Sequence, residues 1–414
     1  MIEEQTSLYK AFAQGAQNFA HKEAILSQHE NTFHPLTYNQ LFQKTAQFSH
    51  YLTELGVKTN DNVIILLENQ SEFAWVFFAI MSRAAVAVPL DVQYTATQVE
   101  QIALHSESKI IITKERFGLL IRDQLSDFKI VMVDSHNFAG DLESKPLANN
   151  FLEVAPNSIG VLFYTSGTTS HPKGVMLSHE NLLANVSSIN QLGIVNSKDI
   201  VVSVLPLHHA YAFTVTFLAP LFSGATIVYP ANMSSQSLLT SMKETKATIL
   251  VGVPQIFALM HRSIREKMKN ISILKKIFVN IFGSTFFAIR QATGLNLSKG
   301  LFAQIHQNLG PYVRFMVSGG AKLDREITTD FTKWGFTILE GYGLTETSPV
   351  VTFNPPAKPK IGSVGKPLAG VEVKINGVNA LGLGEVLIKG PNVMLGYYKL
   401  NLQTQEVIKD GWFY

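Results

Sequence analysis

A run of hydroxyl-bearing residues and glycine, followed by a lysine, is the first feature of this sequence that could do chemistry. The stretch "YTSGTTSHPKGVMLSH" covers residues 164–179, and its candidate site residues are Thr165, Ser166, Gly167, Thr168, Thr169 and Lys173. Hydroxyls and successive backbone N–H groups can bind an anion, and glycine lets the backbone approach it closely. The Walker pattern needs Ser or Thr after its lysine, but Gly174 follows here. By composition alone, phosphate binding is only slightly favoured over a polar hairpin loop.

A second stretch, "ILEGYGLTETSP" (338–349), combines a tyrosine held between two glycines with a threonine and a glutamate. The tyrosine ring can offer a flat face to a nucleobase. Glu346 is an oxygen ligand of the kind that suits Mg²⁺, which is usually bound by one or two carboxylates together with phosphate oxygens. Taken alone, the same stretch could be a tight turn.

Two shorter stretches are candidates for the walls of a site. "VSGGAKLD" (317–324) predicts a strand that runs into glycines, where a backbone could approach a ligand; a plain strand-to-helix turn is the alternative. "LPLHHAYAF" (205–213) places two histidines in an apolar setting. No third ligand is spaced for a metal, and a lone buried histidine is more often structural.

The segments between these motifs alternate between helical and strand-like patterns. The periodicity predicts helices over 36–57 and 71–85. Short apolar runs predict strands, over 62–68, 86–91, 108–113 and 128–134 before the first motif and over 199–206, 224–229, 247–254 and 313–320 after it. From about residue 355, short strand-like runs lie between Gly, Pro and Asn and predict a small antiparallel β subdomain. The fold class is therefore α/β, with domains at 1–190, 191–354 and 355–414.

Composition narrows the function classes. The chain has 414 residues, of which 46% are hydrophobic and 16% charged, and its formal net charge is +3. That charge is too small to argue for nucleic-acid binding, and no zinc-finger spacing or arginine-rich arm is present. The absence of cysteine excludes disulfides and thiolate metal sites. The first residues, "MIEEQTSLYK", lack the apolar region of a secretory signal, so we expect a cytoplasmic protein.

Two segments raise the question of a membrane. Residues 200–242 contain no Asp, Glu, Lys or Arg, but prolines and glycine interrupt them, so buried strands joined by turns are favoured over a membrane span. Residues 261–282 join a basic stretch to apolar residues at helical spacing. A solvated helical face is the favoured interpretation there, and peripheral contact with the inner membrane surface is the alternative.

Four motifs in this order, "YTSGTTSHPKGV", "LPLHH", "SGGA" and "GYGLTETSP", resemble the signature of the adenylate-forming superfamily. The later stretches "GSVGKPLAGVEVKI", "GEVLIKGPNVMLGYY" and "DGWFY" are similar to its later motifs, so the resemblance covers nearly the whole chain. Among subfamilies, "RFMVSGGAKLD" with "ILEGYGLTETSPVVTFN" looks most like long-chain fatty acyl-CoA synthetases. The resemblance implies two stacked α/β subdomains with mostly parallel sheets and a smaller β-rich subdomain, a distorted barrel.

The resemblance also implies a role for each motif residue. Residues 165–169 with Lys173 would hold the β- and γ-phosphates of ATP. The adenine would lie between Gly319, Gly320 and Ala321 on one side and Glu340, Gly341, Tyr342 and Gly343 on the other. Thr345 would contact the α-phosphate, Glu346 would hold Mg²⁺, and His209 would lie beside the acyl pocket. His209, Thr345, Glu346 and Lys173 would form the catalytic set.

The implied reaction activates a fatty acid with ATP to acyl-AMP and pyrophosphate, and then transfers the acyl group to coenzyme A. A fatty acyl-AMP ligase, an acyl-carrier-protein synthetase and a non-catalytic acyl-adenylate binding module are alternatives. A homodimer is a further possibility that the sequence leaves open. No nucleic-acid partner is expected.

Three departures from the family pattern qualify this hypothesis. Ser170 replaces a usual glycine, and His208 stands where an aromatic residue is common. The sequence ends at Tyr414, whereas the family continues with a Thr-Gly-Asp motif and a small C-terminal domain that carries a catalytic lysine. We therefore expect residues 1–414 to correspond to the large N-terminal domain, to bind nucleotide and acyl group, and to turn over weakly.

Overall fold

The structure is a computed structural model of the 414-residue chain, and it describes residues 7–30, 32–135, 138–148, 151–165, 173–269 and 273–414. The strands are β1 (Glu23–His29), β2 (Thr32–Thr37), β3 (Asn62–Leu66), β4 (Val86–Pro89), β5 (Ile110–Thr113), β6 (Lys129–Met132), β7 (Ile159–Thr165), β8 (Lys173–Ser178), β9 (Ile200–Ser203), β10 (Thr226–Tyr229), β11 (Ile249–Gly252), β12 (Phe315–Ser318), β13 (Ile338–Gly343), β14 (Val350–Phe353), β15 (Lys366–Pro367), β16 (Glu372–Asn376), β17 (Glu385–Lys389), β18 (Gly396–Tyr397), β19 (Ile408–Lys409) and β20 (Trp412–Phe413).

The α-helices are α1 (Leu8–Asn18), α2 (Tyr38–Glu54), α3 (Ser71–Ser82), α4 (Ala96–Ser106), α5 (Glu115–Ile121), α6 (Phe138–Ser144), α7 (His179–Gln191), α8 (Ala210–Ala212), α9 (Ala219–Phe222), α10 (Ser235–Glu244), α11 (Pro254–Lys269), α12 (Ile273–Thr293), α13 (Ser298–Leu301), α14 (Ala303–Leu309), α15 (Arg325–Lys333) and α16 (Asn401–Val407). A π-helical segment, Phe213–Leu218, joins α8 to α9, and a 3₁₀ turn covers Thr345–Thr347.

The larger of the two main sheets has nine strands in the order β15-β14-β13-β12-β11-β9-β10-β1-β2. Its six central strands, from β13 to β1, are parallel, and antiparallel strands flank them at both edges. The central strands β11 and β12 are buried along their whole length. Strands covered on both faces are continuously apolar, which is why "TILVG" and "RFMVS" read as strands without alternation.

The second main sheet has seven strands in the order β18-β8-β7-β4-β3-β5-β6. Five neighbouring strands of this sheet are parallel, namely β7, β4, β3, β5 and β6, and β8 pairs with β7 in the antiparallel direction. Helix α3 lies between the two sheets, since it contacts β3 and β4 in this one and β1 in the other. Its residues 73–82 are all buried, which explains why "FAWVFFAIMS" lacks a polar face.

A four-stranded sheet, β16-β17-β20-β19, closes the chain, and all of its pairs are antiparallel. It confirms the β-rich region predicted after residue 355. The α/β class and the mostly parallel sheets are confirmed as well, and the predicted helices and strands lie where their patterns placed them. Ends differ by a few residues: the helix predicted over 36–57 is α2, which begins after a capping box at Thr37.

Strand pairing crosses the predicted domain boundaries at 190 and 354. Strands β1 and β2 precede residue 190, yet they belong to the nine-stranded sheet, where β1 pairs with β10. Strand β18 follows residue 354, yet it pairs with β8 in the seven-stranded sheet. The three domains remain a prediction, while the sheets themselves are built from segments that are distant in the sequence.

The uncharged stretch 200–242 is mostly buried up to Tyr229, as expected, whereas residues 231–236 are exposed. It is also not composed only of strands and turns. Between β9 and β10 the chain forms one continuous helical stretch, composed of α8, the π-helical segment and α9. An apolar run of this kind cannot be assigned to helix or strand from periodicity alone. Within the described residues, no helix is both long and apolar enough to cross a membrane.

Candidate functional site

A cavity of about 650 Å³ lies where four neighbouring parallel strands end. Strands β9, β11, β12 and β13 point their carboxyl ends to the same edge of the nine-stranded sheet, and the residues that follow them line the cavity. In open α/β sheets, ligands bind at this edge because loops of different strands converge there. Nine of the candidate residues line it: Thr165, His209, Gly319, Gly320, Gly341, Tyr342, Gly343, Thr345 and Glu346.

One wall of the cavity is a glycine pair that follows β12. A Cβ on Gly319 would lie 2.7 Å from Cζ of Tyr211, so only glycine leaves room for that partly buried ring. The hydroxyl of Tyr211 donates a long hydrogen bond, 3.4 Å, to the carbonyl oxygen of Gly252 at the end of β11. Gly320 has a φ of +80°, in the left-handed region that favours glycine. The wall is therefore flat and composed of backbone.

The opposite wall is the end of β13. A Cβ on Gly341 would lie 2.9 Å from the Phe353 ring, and one on Gly343 would overlap the carbonyl oxygen of Pro349. Both glycines are needed because β14 turns back closely against β13. The half-buried ring of Tyr342 lies between them and contributes to the cavity lining.

Glu346 lies in the 3₁₀ turn after β13, and residues from β18 and the segment before it hold it in place. The hydroxyl of Tyr397 donates a hydrogen bond to Oε1 of Glu346 over 2.9 Å, and the backbone N–H of Met394 donates to its carbonyl oxygen over 2.8 Å. Burial, and then the Glu346 charge, raise the pKa of Tyr397 above its ordinary value. The phenol is therefore a stable donor at neutral pH.

The loop that carries Glu346 has a second set of ties. The side chain of Asn392 donates to the carbonyl oxygen of Thr347, and the hydroxyl of Ser348 donates to the carbonyl oxygen of Asn392. The side-chain amide of Asn185, in α7, donates to the carbonyl oxygen of Val350 over 2.6 Å. Because these hydrogen bonds are buried, they fix the position of the loop in the structure.

Lys173 does not line the cavity but lies next to Thr165, which does. It is the first residue of β8 and pairs with Thr165 at the end of β7. Its ammonium lies over the ring of Tyr397, with Nζ 5.1 Å from the ring centroid. One tyrosine therefore contacts Glu346 with its hydroxyl and Lys173 with its face. The remaining candidates of this motif, Ser166, Gly167, Thr168 and Thr169, lie outside the described residues.

The histidine pair lies at the entrance to helix α8. The side chain of Asn69 donates to the carbonyl oxygen of Leu205 and accepts from the N–H of Leu207, which fixes the turn before the histidines. Burial, and then the neighbouring charge of His209, lower the pKa of His208 to about 4, although Asp91, 3.6 Å away, opposes the shift. Burial also lowers the pKa of His209. Both imidazoles are neutral at pH 7.

Besides Lys173, two described candidates are not among the residues that line this cavity. Ala321 follows the glycine pair and is exposed. Glu340 is 6% exposed and lines a different cavity, along the earlier part of β13. Burial raises the pKa of the Glu340 carboxyl, and a hydrogen bond from the backbone N–H of Gly362 only partly opposes this.

Sequence reasoning missed two residues of the site. Tyr397 lies in "GYY", which supported the family resemblance without receiving a role, and 51 positions separate it from Glu346. Tyr211 follows the histidine pair and was covered only by the general apolar pattern. No local spacing could have identified either one, because both reach the site through the sheet topology.

The described residues contain no cluster of three or more His, Cys, Asp or Glu side chains that could hold a metal by themselves. Glu346 alone fits Mg²⁺, because this ion is usually held by one or two carboxylates plus phosphate oxygens and water. Its hydrogen bond from Tyr397 fixes the orientation of the carboxylate, as outer partners of metal ligands commonly do.

Comparisons with known proteins agree with this geometry. The model of the family described as AMP-binding enzyme matches residues 12–398. Long chain acyl-CoA synthetase 6, peroxisomal, from Arabidopsis thaliana is 29% identical over 422 residues, which cover 92% of this chain and 59% of that protein. Feruloyl-CoA synthase from an Amycolatopsis species is 25% identical over 386 residues, which cover 92% of this chain and 70% of that protein. The chain thus spans about three fifths to seven tenths of the length of these relatives.

Among solved structures, the inhibitor-bound N-terminal domain of FACL13 from Mycobacterium tuberculosis superposes with a TM-score of 0.80 at 23% identity. The alignment covers 98% of this chain and 94% of that one. At this identity the likeness establishes the fold alone.

Proposed function

The chain belongs to the family of AMP-binding enzymes, and we propose that it activates a fatty acid by ATP-dependent formation of an acyl adenylate, which then reacts with coenzyme A. The observation that carries this proposal is the 650 Å³ cavity, because it joins a flat glycine-walled slot, a fixed carboxylate and an apolar wall in one space. Each of these three parts fits one component of the reaction.

The glycine-walled slot fits the adenine ring. Gly319 and Gly320 expose backbone on one side, and Tyr342 and its flanking glycines expose backbone and an aromatic ring on the other. A planar base between two such walls buries its faces without displacing side chains, and an aromatic ring prefers an offset stacked neighbour. The left-handed backbone at Gly320 supports this assignment, because a residue with a Cβ would be strained in this conformation.

The corner formed by Thr165, Lys173, Thr345 and Glu346 fits the phosphates. Lys173 supplies a positive charge beside Tyr397, and the two threonine hydroxyls can donate to phosphate oxygens. Glu346 would hold Mg²⁺, which would reduce the repulsion between the negatively charged substrates. We assign to Thr345 the α-phosphate and to Lys173 the phosphates that leave.

The apolar wall fits an acyl chain. Leu205, Val215 and Val253 line the cavity on the side of α8 and the π-helical segment. A neighbouring apolar cavity of about 340 Å³ lies between α10, α11 and α14, and it begins one residue away, at Val204. An acyl chain that extended from the first cavity towards the second would bury apolar surface, at about 0.8 kcal/mol per methylene. This arrangement favours a fatty acid over a short or purely aromatic acid.

In the proposed reaction, a carboxylate oxygen of the fatty acid attacks the α-phosphorus of ATP. The new C(O)O–P bond replaces the P–O bond to pyrophosphate, which leaves with both electrons. In the second step a thiolate of coenzyme A attacks the acyl carbon, and AMP leaves with the C–O bond pair. The pKa shifts keep His208 and His209 neutral at pH 7, so neither histidine attracts the carboxylate by charge; His209 would pack beside it.

The proposal is tested by binding. We expect residues 1–414 to bind fatty acyl sulfamoyl adenosine, a hydrolysis-resistant analogue of the acyl adenylate, with affinity that rises as the acyl chain lengthens from C8 to C16. Each buried methylene contributes about 0.8 kcal/mol, so two extra carbons should tighten binding by roughly tenfold while the tunnel has room. A feruloyl analogue should bind more weakly. If neither ATP nor any analogue binds, the proposal fails.

Turnover is a separate readout. Pyrophosphate release with fatty acid and ATP should be weak for residues 1–414 and should fall about 100-fold further in Glu346→Gln, because a fixed charge that organises the transition state is lost. Glu372→Gln, an exposed change on β16, is the matched control. Turnover near that of a complete ligase would contradict the weak-turnover prediction. If the acyl group is transferred faster to a carrier-protein thiol than to coenzyme A, the acceptor is a carrier protein and not coenzyme A.

A further inference from the structure

A second cavity, of about 460 Å³, lies along the earlier part of β13, before the glycines of the nucleotide slot. It is enclosed by the end of α12, by α15 and by the loop of residues 356–361. Glu340 lines this cavity, whereas Gly341 lines the first one, so one strand borders both spaces. Nothing in the proposed adenylation reaction uses the second space.

The most unusual group in this cavity is Arg290, near the end of α12. Its Nη1 donates to the carbonyl oxygens of Thr332 and Phe336, over 3.2 and 2.8 Å, and its Nη2 donates to the hydroxyl oxygen of Thr337. A guanidinium has five N–H donors, so these three bonds leave two available. Among the described residues, no Asp or Glu forms an ion pair with Arg290.

The absence of a counter-charge is costly at this position. Arg290 is partly buried, and burial alone lowers its pKa; no neighbouring carboxylate opposes the shift. Buried charges in proteins are normally paired, because removing an ion from water without a partner costs several kcal/mol. A guanidinium that keeps two free donors and faces a cavity is therefore suited to an anion from outside the chain.

Two lysines add to the positive charge of the cavity. Lys358 and Lys360 line it from the exposed loop, and together with Arg290 they give three positive charges. Glu340 is the one acidic residue that lines the cavity; burial raises the pKa of its carboxyl and so disfavours the ionised form, which would oppose an anion, and its Oε1 lacks a hydrogen-bond partner within the described structure. The hydroxyl of Thr337 accepts from Arg290, so its own hydrogen is free to be donated. Such a set favours a multiply charged oxyanion over a single carboxylate.

We propose that this second cavity binds the phosphate group of a small metabolite, held by Arg290 at its base and by Lys358 and Lys360 at its rim. The site is distinct from the nucleotide slot, since β13 separates the two, and both can be filled at once. The plain alternative is that Arg290 only ties the end of α12 to the loop before β13 through its bonds to backbone carbonyls.

The test uses inorganic phosphate as the probe and blocks the nucleotide site first. Equilibrium dialysis of radiolabelled phosphate is run on the full 414-residue chain saturated with ATP, without an acyl substrate. One bound phosphate per chain is expected, and acetate at the same concentration should displace it poorly. No bound phosphate under these conditions would overturn the proposal, while binding of ATP in the same sample would still support the nucleotide site.

Three variants locate the site. Lys358→Gln combined with Lys360→Gln removes two exposed charges and should weaken phosphate binding by about three- to tenfold, as expected for solvent-exposed charge contacts. Lys58→Gln with Lys129→Gln makes the same change in net charge on exposed positions of the seven-stranded-sheet side and should leave it unchanged. Lys173→Gln should also leave it unchanged.

Arg290 itself is tested by a pair of substitutions. Arg290→Met should abolish phosphate binding, whereas Arg290→Lys should retain part of it because the charge remains. If Arg290→Met does not fold, the exposed lysine pair decides the outcome. Phosphate binding that is indifferent to Lys358, Lys360 and Arg290, or that disappears only in Lys173→Gln, would leave Arg290 with the structural role alone.

Discussion

The hydroxyl of Tyr397 provides a sharp test of the proposed phosphate site formed by Thr165, Lys173, Thr345 and Glu346. This hydroxyl is the one polar atom of the Tyr397 side chain, and it donates to the Glu346 carboxylate. Replacing Tyr397 with Phe removes the donor to Oε1, a 2.9 Å bond, and keeps the ring beneath the ammonium of Lys173. Any effect therefore reports on the orientation and solvation of the Glu346 carboxylate. The change does not create a sizeable void, since only one oxygen is lost.

The expected magnitude follows from the charge of the acceptor. A hydrogen bond to a charged group contributes about 1.5–3 kcal/mol, and mutation of an outer partner of a metal ligand commonly costs about 10–100-fold in affinity or activity. Glu346 is half-buried, so water can replace part of the lost bond, and the lower end of the range applies. We expect Tyr397→Phe to weaken Mg²⁺-dependent ATP binding by about tenfold, or ~1.4 kcal/mol.

The assay is a titration of ATP at a series of Mg²⁺ concentrations, followed by calorimetry. Tyr398→Phe is the matched control, because its hydroxyl contacts Glu107 at 3.5 Å on the exposed side and does not reach the cavity. In a Glu346→Gln background, Tyr397→Phe should have little additional effect, since the two side chains act through one contact. Equal affinities for Tyr397→Phe and Tyr398→Phe would refute the reasoning, and additive losses in the double variant would show that Tyr397 acts elsewhere.

Two further predictions address the fold around the site. Gly319→Ala should raise the KM for ATP and destabilise the protein by roughly 1–3 kcal/mol, because the new Cβ would lie 2.7 Å from Tyr211. The control is Gly140→Ala, at a helical position where a new Cβ would meet no atom within 4 Å. It should leave the midpoint of thermal unfolding unchanged or raise it slightly. Burial lowers the pKa of His179 to about 4 from 6.5, so the folded state favours the neutral ring. The free energy of unfolding is therefore unaffected by this histidine above pH 6.5. It falls by about 3 kcal/mol in total as the pH drops from 6.5 towards 4, because the unfolded chain takes up the proton first. Denaturant unfolding at pH 7, 5.5 and 4 should therefore show a smaller acid loss in His179→Gln than in the native chain.

Apolar runs and glycine-bounded segments were enough to predict the fold class. The runs "VIIL" in β3 and "III" in β5 are buried along their length and contain no polar residue, as in strands covered on both faces. The alternation of such strands with helices predicts parallel sheets. The helical stretch 210–222 was harder, because a uniformly apolar segment satisfies both periods.

The candidate site was predictable to the extent that its residues lie in local motifs. Thr165, Gly319, Tyr342 and Glu346 each belong to a short stretch with its own chemical logic, and the structure brings them to one cavity. What the motifs could not give is direction: Glu340 is part of the same motif as Tyr342, but its side chain lines the second cavity. Which space each side chain of β13 faces depends on the helices and loops that pack around the strand, and these are distant in the sequence.

The boundary predicted at residue 354 separates Glu346 from the residues that hold it. Tyr397, Asn392 and Met394 all lie in the β-rich region, and each forms a hydrogen bond to the loop of residues 346–348. The side chain of Asn181, in α7, in turn holds the segment before β18 by donating to two of its carbonyl oxygens. The change from an α/β to a β-rich pattern thus marks a change in secondary structure and not the edge of the site. A protein ending at residue 354 would keep the glycine slot and the Glu346 side chain but lose the contacts that orient them, so we expect it to lose Mg²⁺-dependent ATP binding even if both main sheets form.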